Sequence, residues 1–272
     1  MTKLKEFQNL FGIEKPVVGM LHLKPLPGSP IYDGSGIDNV ITTALKDAES
    51  LVKGKVNGLE VENFNDPSYF PNVAPPETVA SMAIVAREIR NKFSNIPLGI
   101  CVLSDPIASI AIAHVIHAQF IRATFFTEAA VDVSGLVLRR PHEILRFRKF
   151  LDPTIKIFAD VHIKHSAPLA QRPIEESAYD AAYFLADAVL ISGKHTGFPT
   201  PAEDVKKVKA VLPDFPVLVG SGLNTDNVKE LFRYADGAIV GTSLKYKGKS
   251  TNEVSPERVS MFMSEVLKIR EN

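Results

Sequence analysis

Four short segments concentrate the side chains that acid–base chemistry needs. In Ile157-Phe-Ala-Asp-Val-His-Ile-Lys-His, the ionisable groups Asp160, His162, Lys164 and His165 fall close together. An extended chain alternates its faces, so Asp160 and His162 are expected to share one face and Ala159 and Val161 the other. The charged face suits a general acid and base or a metal; the plainer alternative is a hydrogen-bonded Asp–His pair with a structural role. Gly58-Leu-Glu-Val-Glu-Asn has the same alternation, with Glu60 and Glu62 opposite Leu59 and Val61. Glu62 and Asn63 are expected near the end of this strand and Glu60 one layer deeper. A buried carboxylate must find a partner, and Arg122 is the expected one; the alternative use for Arg122 is to bind a substrate anion. His22 closes another apolar run and precedes a stiff loop with Pro25, Pro27 and Pro30. Lys164, and Lys194 in Ile191-Ser-Gly-Lys-His-Thr-Gly beside Ser192, are placed where burial could make a Schiff-base amine; each has the alternative of an exposed loop lysine. His22, Glu62, Asp160 and His162 are all donors to divalent ions. They show no compact ligand spacing, so the sequence does not favour a metal and names no cofactor.

A second kind of chemistry is carried by backbone. Val217-Leu-Val-Gly-Ser-Gly-Leu-Asn is followed by Ala235-Asp-Gly-Ala-Ile-Val-Gly-Thr. Gly220, Ser221 and Gly222, then Gly241 and Thr242, end two consecutive apolar runs with little side chain in the way. Exposed amides in such loops gather around anions, so these residues are expected to bind phosphate. The competing reading is that the glycines only make tight turns. Lys245 and Lys247 follow and could add charge.

The elements that must position these residues alternate regularly. Apolar runs at 17–22, 58–62, 98–103, 120–124, 155–162, 188–192, 217–220 and 237–240 read as strands, most of them apolar on both faces, as in a parallel sheet covered by helices. Helical spacing marks 38–53, 78–93, 105–118, 141–151, 175–185, 202–212, 225–234 and 256–269. Eight strand–helix units are the arithmetic of a (β/α)₈ TIM barrel, expected as one domain over 1–272. An open doubly wound sheet fits less well, since no G-x-G-x-x-G follows the first strand. Links from helix to strand are short and links from strand to helix are long, which enlarges one face of the barrel. That face carries the active sites of such folds, and the loops after strands seven and eight commonly hold phosphate.

Composition narrows the partners. The 272 residues carry 31 Lys+Arg against 31 Asp+Glu. That balance argues against nucleic acid as the main partner. No apolar run approaches the ~20 residues of a membrane span, and residues 1–16 have no secretory pattern. One cysteine, Cys101, excludes an internal disulfide and fits a reducing cytoplasm; it lies in an apolar run and reads as core. A homo-oligomer is expected from the general habit of barrels, not from any motif.

The opening Gly19-Met-Leu-His-Leu-Lys-Pro-Leu-Pro-Gly-Ser-Pro, Glu62-Asn63-Phe64, Ala159-Asp-Val-His-Ile-Lys-His, Ser192-Gly193 with Thr196-Gly197, and the two glycine motifs together resemble the BtpA/SgcQ family. The resemblance implies a TIM barrel. One branch of that family is associated with photosystem I biogenesis and another lies beside sugar-uptake genes, so no single reaction is implied. A departure falls at Thr124, where an Arg-x-Asn run is expected. The residues by themselves point to an enzyme on a small phosphorylated metabolite, a sugar or nucleoside phosphate, of isomerase, epimerase or aldolase type. Asp160, His162 and Glu62 would move protons, with Lys164 or Arg122 stabilising negative charge. The alternatives are a non-catalytic assembly factor and a phosphate-ligand sensor.

Overall fold

A computed structural model describes every residue except Ser68, Arg139 and Asn272. The chain begins with α1 (Lys3–Phe11), β1 (Val17–His22), α2 (Ile37–Lys53), β2 (Gly58–Glu62), α3 (Pro76–Lys92), β3 (Leu98–Cys101), α4 (Pro106–Ile116) and β4 (Phe120–Ala123). It continues through β5 (Ala130–Asp132), β6 (Gly135–Val137), α5 (Pro141–Leu151), β7 (Lys156–Val161), β8 (Ala167–Pro168) and α6 (Ile174–Tyr183). Then come β9 (Ala188–Ile191), α7 (Ala202–Val211), β10 (Val217–Val219), α8 (Val228–Leu231), β11 (Gly237–Val240) and α9 (Pro256–Arg270). Strands β1, β2, β3, β4, β7, β9, β10 and β11 pair in parallel and close into a barrel, with β11 returning to β1. The expected eight-stranded TIM barrel is the fold.

Two apolar layers hold it. Between strands and helices lie residues such as Leu21, Leu51, Val61, Val85, Ile89, Ile121, Ile157 and Val259. Inside the lower barrel, Met20, Phe120, Phe158, Leu190, Leu218 and Ile239 pack together with Phe7 from α1. Phe120 and Phe158 stack at 4.6 Å, and Phe7 meets Phe158 edge-on at 5.7 Å. The helix α1 was not anticipated. It is started by Thr2, whose hydroxyl accepts from Lys5 N–H, and Phe7 and Phe11, one turn apart, turn towards the barrel aromatics.

Three further departures concern the loops. Residues 125–140 and 163–174 are not structureless: β5, β6 and β8 form a small antiparallel sheet in the order β6-β5-β8. The expected helix at 225–234 shrinks to the single turn of α8. Asn224 Oδ1 accepts from Asp226 and Asn227 N–H, and Asn227 Oδ1 from Asn224 N–H; these side chains hold the backbone in turns where a helix would have begun. The fifth expected strand run, β7, stops at Val161, one residue before His162.

Candidate active site

Arg122 on β4 is the charged centre of the barrel interior, fully buried. Its expected ion pair with Glu60 is present but is the longest of three, and the closest partner is Asp160. Nε and Nη2 donate to the two oxygens of Asp160 at 2.7 and 2.9 Å, a bidentate fork. Nη1 reaches Glu62 at 3.3 Å, and Glu60 only at 3.9 Å. Register explains the choice. Arg122 lies opposite Phe158 on the adjacent strand, so Asp160 is two residues nearer the mouth, within reach of an arginine extended that way.

Glu60 is left with neither oxygen hydrogen-bonded among the described residues, its one charged contact there the distant Arg122. Burial pushes its carboxyl up to about 8, despite the attraction of Arg122. It therefore carries a proton at neutral pH, and Arg122 answers to two carboxylates, Asp160 and Glu62. Asp160 also receives the hydroxyl of Ser192 at 3.4 Å.

His22, at the end of β1, stacks on Phe64 at 4.3 Å. Its Nδ1 lies 3.2 Å from the Ser250 carbonyl. A carbonyl only accepts, so Nδ1 carries the proton and Nε2 keeps its lone pair. Burial, then the charge of Lys245, holds the ring well below the usual histidine range, so it is neutral. Nε2 stands 3.7 Å from Glu62 Oε1. Lys164 enters the same mouth and makes no hydrogen bond or close ion pair among the described residues. Burial and the neighbouring Arg122 lower its ammonium pKa.

Of these groups, His22, Arg122 and Lys164 border a cavity of about 200 Å³ at the C-terminal end of the barrel. Its walls include Gly220, Ser221, Gly222, Gly241, Thr242, His22, Arg122 and Lys164, a set that the sequence places together. The N–H groups of Gly222, Leu223, Thr242 and Ser243 make no hydrogen bond among the described residues, which leaves donors for an anion. Gly222 is required by shape. Its φ is +65°, and a Cβ there would lie 2.0 Å from the Phe198 carbonyl oxygen. Two further lining residues, Asn224 and Arg258, were given no role in the sequence reading. Arg258 lies in the first turn of α9, where a surface arginine carries no signal; its Nε donates to the Ser243 carbonyl at 2.7 Å and its side chain borders the cavity.

Other expected site residues are placed elsewhere. His162 has φ +48°, which breaks the strand alternation, and its Nε2 turns away to Ser177 on α6 at 3.2 Å and Glu128 at 3.4 Å. It does not share the face of Asp160. Asn63 ties the next loop, its Oδ1 accepting from Leu103 N–H at 2.9 Å, and does not border the glycine-lined cavity. Lys194 is exposed outside it. Lys245 turns back to Asp47 on α2 and is buried there. The imagined metal set of His22, Glu62, Asp160 and His162 is not brought together. Glu60, Glu62 and Cys101 do bring one donor atom each within 4.8 Å of one another. The donors suit a metal poorly as they stand: Arg122 already faces both carboxylates, Glu60 holds its proton, and burial pushes the Cys101 thiol well up.

Residues 13–268 match the BtpA family. The chain belongs to the BtpA family. Its relatives include an uncharacterized protein of Thermococcus kodakarensis, 43% identical over 95% of this chain and 97% of that one. The Photosystem I biogenesis protein BtpA of Synechocystis is 36% identical over 93% of this chain and 88% of its own length. Among solved structures, a thiamine phosphate pyrophosphorylase from Pyrococcus furiosus superposes with a TM-score of 0.60 at 14% identity. It covers 97% of this chain and 98% of that one, a likeness of fold. The BtpA-family chain thus keeps a charged barrel mouth on a widely used scaffold, and no helix among its described residues is long and apolar enough to cross a membrane.

Proposed function

We propose that this BtpA-family protein is an enzyme acting on a small phosphorylated metabolite by acid–base chemistry at the barrel mouth. The observation that carries the reading is the cavity itself: unpaired backbone amides from the loops after β10 and β11 stand across from Lys164 and the free Nε2 of His22. The phosphate is assigned to Gly220, Ser221, Gly222, Gly241 and Thr242, with Arg258 at the rim. Neutral His22 and Glu62 are assigned to proton transfer. The Lys164 ammonium stabilises the oxyanion of an enolate or enediolate. Asp160 acts through Arg122, holding its guanidinium. Isomerisation, epimerisation and retro-aldol cleavage share this intermediate and this set of groups.

A thermal-shift screen of phosphorylated sugars and nucleotides tests the reading. A ligand at ~100 times its Kd adds about 2.7 kcal/mol. Stabilisation by a phosphate ester and not by its dephosphorylated form is expected; no response to any phosphate compound would end the proposal. The Synechocystis relative's name favours a second reading, an assembly factor. Tyr179, Tyr183, Phe184 and Leu185 are exposed together at the end of α6 and would serve as its contact. Under that reading, a His22→Asn variant keeps full biological effect.

A further inference from the structure

The glycine-lined cavity does not stand alone. A second cavity, of about 280 Å³, opens beside it, and Arg122, Lys164 and Thr196 line both. The two have opposite chemistry. The first is walled by backbone and hydroxyls. The second is walled by Phe64, Leu103, Phe125, Val133 and Ile163. Those side chains come from the loops after five different strand and sheet elements, and Val133 is supplied by the turn between β5 and β6. Phe64 is fixed from two sides, by stacking on His22 and by the Tyr69 hydroxyl, which donates to its carbonyl. Of the polar groups of this chamber, Arg122, Lys164 and Thr196 stand where it meets its neighbour, while Glu62, Asp132 and His165 border it alone.

We infer that the ligand is a phosphate ester carrying an aromatic or branched apolar group, its phosphate on the glycine side and its apolar group in the second chamber. The inference rests on the phosphate reading and names the substrate class. Size supports it. An apolar cavity of ~150 Å³ suffices for benzene, so this chamber takes a substituted ring, whereas a bare triose or pentose phosphate would leave the apolar wall facing water. The placement also sets Lys164, Glu62 and His22 beside the bonds that join the two halves of the ligand, where proton transfer would act.

Calorimetric titration with methyl phosphate and benzyl phosphate decides it. The expected result is benzyl phosphate binding at least ~10-fold tighter than methyl phosphate, equal to about 1.4 kcal/mol. Val133→Asp should remove that gain and leave methyl phosphate unchanged. Val133 is 84% exposed in a turn, so the variant folds. Equal affinity for the two esters, or a gain that survives in Val133→Asp and equally in Ile163→Asn, would overturn the inference while leaving the phosphate reading intact. Failure of both esters to bind would overturn both.

Discussion

Glu60→Gln isolates the least comfortable group in the barrel. The Glu60 carboxyl is fully buried, has no hydrogen-bond partner, and holds its proton up to about 8 instead of 4.5. In the unfolded chain that proton leaves at the ordinary value. Between about 4.5 and 8, then, the folded state binds more protons than the unfolded state, and stability falls as pH rises. The slope is about 1.4 kcal/mol per pH unit, so the group withdraws on the order of 5 kcal/mol across the window. Glutamine has the same shape, stays neutral, and can turn its carbonyl oxygen to Arg122. Wild type and Glu60→Gln should therefore be about equally stable at pH 5, and the variant more stable by several kcal/mol at pH 8, in urea unfolding followed by circular dichroism. His22, which pulls the other way, is present in both proteins and cancels from the difference. A constant difference between pH 5 and 8 would show that Glu60 titrates normally and that the charge balance around Arg122 is wrong.

Asp160→Asn leaves Arg122 buried without its bidentate partner and should cost ~3–5 kcal/mol in urea unfolding. Lys164→Met removes one charge-assisted contact worth ~1.5–3 kcal/mol, so phosphate-ester affinity should fall roughly 10–100-fold in calorimetry with the melting curve retained. His22→Asn should flatten the acid limb of stability: below about 6.5 the unfolded ring takes up a proton that the buried ring refuses, so wild-type stability falls with pH there. Cys101, buried and with its thiol pushed well above the usual range, should not react with a thiol reagent until the protein is unfolded.

The barrel was legible because strand burial on both faces and lopsided loop lengths are local properties of the chain. Helix α1 was legible in principle, through Phe7 and Phe11 four residues apart. The β5-β6-β8 sheet was not, since strands of two or three residues show no alternation and Ala130 finds Pro168 only in the folded chain. That the two glycine loops gather at one cavity was legible, because ordinal position in a barrel fixes where such loops lie. Side-chain pairing was less so. A rule about barrel layers selects Glu60 for Arg122, but a long side chain passes its own layer to Asp160. Strand alternation puts His162 beside Asp160, and it fails because the φ of His162 turns positive. The second chamber is assembled from loops remote in sequence, so no single motif announces it.

The most direct test is calorimetric titration of wild type and Gly222→Ala with a sugar phosphate that stabilises the protein and with the free sugar. Alanine at 222 meets both a positive φ and the Phe198 carbonyl, so it distorts the proposed phosphate wall while leaving His22, Glu62 and Lys164 untouched. The prediction is that the phosphate ester binds wild type, the free sugar does not, and Gly222→Ala loses at least tenfold in affinity. Equal binding of ester and free sugar, or undiminished affinity in Gly222→Ala, would contradict a phosphate site at the glycine loops.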